Sequence, residues 1–141
     1  MKVLYFLIFS LTLAISGPSL RTAFADGDAG NGQDLFRACS ACHEVGVGAR
    51  NSVGPVLNDI VGRRAASRDR YSYSRGMREA AADGLVWSVE TLDGYIENPR
   101  AYLRGTRMAY SGLRDPQERQ DLIAYLKTLK FDKPSESGVL R

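Results

Sequence analysis

The 141-residue chain has a single histidine and only two cysteines, too few for a closed Cys/His zinc shell unless carboxylates complete it. Two cysteines also exclude the multi-bridge framework of a small disulfide scaffold. No apolar run reaches the ~20 residues that a helix needs to cross a bilayer; the longest, residues 3–15, has thirteen (15 − 3 + 1). Internal repeats, low-complexity tracts and blocks of like charge are missing, which excludes repeat arrays and nucleic-acid-binding arms. No segment alternates with the period of a strand, so a sheet-based fold is excluded as well.

What is present begins with Lys2, the apolar run, a break at Gly17-Pro18 and the small-residue pattern Ala23-Phe24-Ala25. This is the layout of a secretory signal peptide, cleaved after Ala25, and it implies export to the periplasm. Residues 1–25 are read as the signal peptide, 26–131 as one domain and 132–141 as a loose tail. The formal charge of +3 includes Lys2 and Arg21. Without them 17 basic (19 − 2) and 16 acidic residues leave about +1, so the distribution of charge rather than its total must select partners.

Residues 28–38 predict a helix capped by Asp28 and ending where the cysteines begin. Residues 44–55, with three Gly and a Pro, and 63–75, rich in Arg, Ser and Tyr, read as loops, with a short helical turn at 56–61. A brief helix over 75–82 is closed by a turn at Asp83-Gly84, and a longer one over 88–97 is capped by Ser88. Pro99 stops that helix or opens another, 104–112 is loop, and Asp115-Pro116 starts the best helix of the chain. Leu122, Ile123, Tyr125, Leu126 and Leu129 form its apolar face, and it fades near Phe131. The domain is therefore all-α with long loops. In a small domain such loops need something other than polypeptide to pack on.

Cys39-Ser40-Ala41-Cys42-His43 supplies the reason. It matches the C-x-x-C-H pattern of c-type heme attachment, in which two thiols add to the vinyl groups along one porphyrin edge and the next residue brings its imidazole to the iron. Both cysteines and the only histidine fall in this one run. A plain disulfide and a redox dithiol are the competing readings, and the dithiol expects a βαβ context that the chain lacks. With His43 used, the sixth iron position is left to Met, Lys or an open site. Of the methionines beyond the signal peptide, Met108 stands among Gly105, Thr106, Arg107 and Ala109, a stretch unlike a core, whereas Met77 starts a short helix; Met108 is preferred. Met/His ligation raises the reduction potential and leaves no site for substrate, which points to electron transfer.

Further motifs follow in order: Gly54-Pro55, Gly62-Arg63, Tyr71-Ser72-Tyr73, Trp87, residues 95–99 (YIENP), residues 105–108 (GTRM) and residues 121–126 (DLIAYL). With them the chain resembles the class I, mitochondrial-like cytochromes c and their bacterial periplasmic members over nearly all of residues 27–131. The resemblance implies one heme c, with His43 and Met108 as metal ligands and the Pro55 carbonyl accepting a hydrogen bond from His43 Nδ1. It places Arg63, Tyr73, Trp87 and Thr106 on the heme propionates and Tyr95 beside the Met108 sulfur. Gly32 would let the first helix approach the last, with Phe36, Leu122 and Tyr125 at the crossing. Three departures stand out: Phe36 is one residue nearer to Cys39, three residues are inserted between Tyr73 and Trp87, and Arg104 stands where Pro is usual.

The implied function is electron transport by a monomer, without an enzyme's catalytic residues. Arg37, Arg50, Arg100, Arg107 and Arg114 would surround the exposed heme edge as a basic docking face. Partners by resemblance are a membrane cytochrome bc complex and a terminal oxidase, photosynthetic reaction centre or periplasmic dehydrogenase, with contact to the membrane only through such complexes. The alternative is a gas-binding or catalytic heme protein whose distal ligand is labile.

Overall fold

The computed structural model describes residues 27–131, and the expected signal peptide and tail lie outside the described residues. Asp28 accepts hydrogen bonds from the amides of Gly30 at 2.8 Å and Asn31 at 3.3 Å, starting α1 (Ala29–Leu35) as its capping chemistry predicts. The single helix expected over 28–38 is interrupted at Phe36, and α2 (Arg37–Ser40) carries the chain on into the cysteine motif. Cys39 and Ser40 are thus helical rather than following the helix. The break lets Phe36 bury its ring, with its centroid 5.4 Å from that of Tyr125.

Residues 57–63 form two successive four-residue turns sharing Ile60, closed by Ile60 N to Leu57 O and Arg63 N to Ile60 O, each 3.1 Å. The helical turn expected there does not form, because Asp59 at φ 54° and Gly62 at φ 88° leave the right-handed region. Ser74 caps α3 (Arg75–Ala82) and Ser88 caps α4 (Val89–Glu97) by accepting from Met77 N and Thr91 N, both at 3.2 Å. Pro99 opens α5 (Pro99–Tyr102), and Asp115 caps α6 (Pro116–Thr128). Among the described residues the β-structure is one antiparallel bridge between Arg64 and Val86, which seats Trp87 beside the loop that follows the turns.

The hydrophobic core lies where α1 crosses α6. A Cβ on Gly32 would fall on the carbonyl oxygen of Asp121, so the close approach requires glycine there. Leu122, Ile123, Leu126 and Leu129 are buried, and α4 adds Leu92, Tyr95 and Ile96. At the same crossing the Asp121 carboxylate accepts from Asn31 Nδ2 at 2.6 Å, Asp28 N at 2.8 Å and Gln117 Nε2 at 2.9 Å. The bond from Asn31, followed by those from Gln117 and Asp28, holds its pKa below the usual carboxylate value. The stability this site contributes is complete above the ordinary aspartate pKa of ~4 and is lost as pH falls through the lower folded-state value. Asp121→Asn should therefore flatten the acid limb of unfolding below about pH 4, followed by circular dichroism. An unchanged limb would assign acid sensitivity to other carboxylates.

Candidate functional site

A cavity of about 880 Å³ opens between the crossing helices and the loops, within the ~300–1,000 Å³ of sites that enclose a cofactor-sized ligand. Residues from 36 to 126 line it. Cys39, Cys42, His43, Pro55, Arg63, Tyr73, Trp87, Tyr95, Thr106 and Met108 are all among them, so every site residue expected from the sequence reaches one space.

The cysteine wall is shaped by α2 and the turn after it, in which Cys42 N and His43 N both donate to Cys39 O at 3.0 Å. No disulfide joins Cys39 to Cys42. Burial, then the neighbouring Cys42, pushes the Cys39 thiol up to about 11, so it is protonated at neutral pH. His43 Nδ1 lies 2.7 Å from Pro55 O. A carbonyl only accepts, so Nδ1 carries the ring proton and Nε2 keeps its lone pair. Burial lowers the His43 pKa, the Pro55 bond opposes that, and Arg63 lowers it further; the imidazole is held neutral, as a metal ligand must be. Gly54 runs directly under this ring, where a Cβ would collide with Cε1. Gly54→Ala should displace the imidazole and lower the thermal midpoint by several degrees, since a clash of ~1–3 kcal/mol in a small domain has that effect. An unchanged midpoint and heme spectrum would show that the ring can give way.

Met108 sits in the loop after α5, partly buried. Its amide donates to Thr106 Oγ1 at 3.2 Å, and the same hydroxyl lies 2.7 Å from Tyr95 Oη. The Tyr95 phenol is thus engaged with Thr106, and its ring packs on Trp87 with centroids 4.9 Å apart. Arg107 donates to Ser72 O, tying this loop to the tyrosine-rich segment across the mouth. The stiffness that Pro would give at position 104 comes from elsewhere. Gly76 of α3 approaches so closely that a Cβ would strike Arg104 O, and thus the helix in the inserted segment braces the loop.

Arg63 donates from Nη1 to Asn58 O at 2.7 Å and from Nη2 to Val56 O at 3.0 Å, while Tyr73 Oη accepts from Arg68 N at 3.2 Å. Sequence reasoning missed Asn58, which is buried and clamps the 44–55 loop by pairing with both backbone groups of Gly46, at 2.8 and 2.9 Å. Tyr71, named only as part of a motif, was given no contact, and its hydroxyl donates to Val53 O at 2.7 Å. Nothing local marks either bond: each spans more than ten positions. Arg37, Arg50, Arg100, Arg107 and Arg114 are all exposed, and Arg107 also lines the cavity.

Among the described residues no three His, Cys, Asp or Glu side chains gather to hold a bare metal ion. The cavity brings together two thiols, an imidazole and the thioethers of Met77 and Met108, a set that suits an iron whose four remaining ligands arrive on a planar macrocycle. The Gly54 cradle, the apolar lining and the cavity's size all fit such a group. Fold and site together define a helical protein built around one c-type heme.

The chain belongs to the cytochrome c family, whose pattern matches residues 29–130. It is 43% identical to cytochrome c2 of Rhodomicrobium vannielii over 122 residues, covering 84% of this chain and 95% of that one. With cytochrome c2 of Blastochloris viridis it shares 35% identity over 132 residues, covering 94% and 97% of the two chains. Cytochrome c2 of Rhodospirillum centenum has the same fold, with a TM-score of 0.71 and 36% identity over 74% of this chain and 99% of that one. Heme c is attached covalently through Cys39 and Cys42, and the protein is a single-heme electron carrier, not an enzyme, that acts with redox partner proteins. No helix among the described residues is long and apolar enough to cross a membrane.

Proposed function

We propose that this protein is a periplasmic carrier that takes one electron from a membrane cytochrome bc complex and passes it to a terminal oxidase, reaction centre or dehydrogenase. His43 and Met108 would be its axial ligands. The observation that carries this reading is that the only histidine and the methionine of the 104–112 loop line the same cavity as both heme-attaching cysteines. The leader-like residues 1–25 support export.

When bound, the heme supplies an iron that accepts and releases one electron. His43 offers Nε2, and Pro55 fixes the ring and keeps the ligand basic. Met108 would offer a soft thioether, which favours ferrous iron and would leave no open position for substrate. Met77, the other candidate, also lines the cavity but is held in the core by α3, whereas Met108 stands on a loop. Arg63, Tyr73, Trp87 and Thr106, all in the cavity wall, would contact the anionic propionates.

Absorption spectra of the mature protein test this. Sharp reduced c-type bands, with a weak sulfur-to-iron band at long wavelength when oxidised, are expected. A high-spin spectrum that binds carbon monoxide at neutral pH would instead indicate a labile distal site. Docking is tested separately. Arg37→Glu with Arg107→Glu should slow oxidation by the partner complex at low salt and weaken its salt dependence, because like charges then meet at the encounter face. An unaltered salt profile would place docking elsewhere.

A further inference from the structure

Arg119 on α6 has only 8% of its side chain exposed, and Asp93 on α4 has 30%. The guanidinium donates from Nε to Asp93 Oδ1 at 2.7 Å and from Nη2 to Oδ2 at 3.3 Å, a fork-to-fork pair. Its Nη1 donates to Leu113 O at 3.1 Å and to Arg114 O at 2.9 Å. Those two carbonyls end the loop that carries Met108. One side chain therefore joins α6, α4 and the loop.

A guanidinium withdrawn from water is tolerated where its hydrogens find partners, and removing one partner leaves an uncompensated charge. A pair that served only to join two helices would need just the carboxylate. Here the remaining donors are spent on the loop. The same loop end is fixed twice more: Leu113 N donates to Ile96 O at 3.0 Å, and Gly112, at φ 100°, lies so close that a Cβ would strike Glu97 O. At the other end, Tyr95 of α4 holds Thr106, which in turn accepts from the Met108 amide. Both ends of the Met108 loop are therefore referenced to α4, and Arg119 with Asp93 secures the far one.

We propose that Arg119 and Asp93 form a latch that keeps the Met108 loop closed and so sets how readily an outside ligand displaces Met108. Both are positioning residues, acting through the loop backbone, and the proposal rests on Met108 being the distal ligand. Loop opening is a local event that need not follow global stability. That separation makes the latch testable.

The experiment titrates imidazole into the oxidised holoprotein, following loss of the sulfur-to-iron band, and measures thermal unfolding of the same samples. Asp93→Asn should bind imidazole ~10-fold or more tightly than wild type, as loss of a charge-assisted bond implies; Arg119→Lys should act in the same direction. Asn31→Ala, which removes a bond at the α1–α6 crossing away from the loop, should lower the thermal midpoint without changing imidazole affinity. Asp93→Asn with a lowered midpoint but imidazole affinity within about twofold of wild type, the size of ordinary surface effects, overturns the latch and leaves the ligand assignment standing. A wild-type protein without the sulfur-to-iron band removes the Met108 assignment, and the latch with it. Should Arg119→Lys not fold, Asp93→Asn decides alone, since its carboxylate is partly exposed.

Discussion

Produced in cells that cannot attach heme, the mature chain is expected to be unfolded, with little of the helical circular dichroism signal that α1 to α6 would give. The cavity occupies about 880 Å³, and the buried Trp87, Tyr95, Met77 and Leu122 that form the core are also its walls. At ~24 cal/mol per Å³, even half of that volume unfilled would cost roughly 10 kcal/mol, comparable with the whole ~5–15 kcal/mol by which domains are stable. Water cannot substitute on a largely apolar lining. Nor can the helices stand by themselves: α1, α2, α3 and α5 have eight residues or fewer, well below the ~12–15 at which isolated helices become even marginal. A heme-free chain with native-like helicity and a cooperative thermal transition would show that polypeptide contacts suffice.

Met108→Ala should abolish the sulfur-to-iron band and lower the reduction potential by at least about 0.1 V, a modest part of the ~0.8 V that axial ligands span. The soft sulfur stabilises the ferrous form, and water or hydroxide in its place stabilises the ferric one. The variant should also bind carbon monoxide and imidazole readily. Because Met108 is only partly buried in a loop, its truncation removes little core volume, so the protein should remain folded and the change in potential report ligation. Redox titration with parallel circular dichroism checks both. A retained band in Met108→Ala, lost instead in Met77→Ala, would move the ligand to α3.

What could be read beforehand divides along sequence distance. The helix starts at Asp28, Ser74, Ser88 and Asp115 were legible because a cap satisfies amides two or three residues away. The cysteine motif was legible for the same reason, its parts being contiguous. Phe36 looked like one more helical residue, and only its packing on Tyr125, nearly ninety positions on, explains why the helix breaks there. The burial of Arg119 and Asp121 has no mark in the sequence, since charge on a helix ordinarily faces water. Their partners, Asp93 and Asn31, lie 26 and 90 residues away and carry no local mark. Asn58 and Gly76 were hidden likewise, one buried by its bonds to Gly46 and the other needed only where the backbone of Arg104 comes near.

The crossing of α1 on α6 also constrains the order of events in the life of the chain. The first helix finds its partner only in the last, so no nascent portion ending before residue 116 can close the domain. Joining elements this distant in sequence costs the entropy of closing the loop between them. The thiols at 39 and 42 emerge long before that closure, while the chain is still extended. An attachment enzyme would therefore meet them as a short linear peptide, and the arrival of the C-terminal helix would seal the finished cofactor inside.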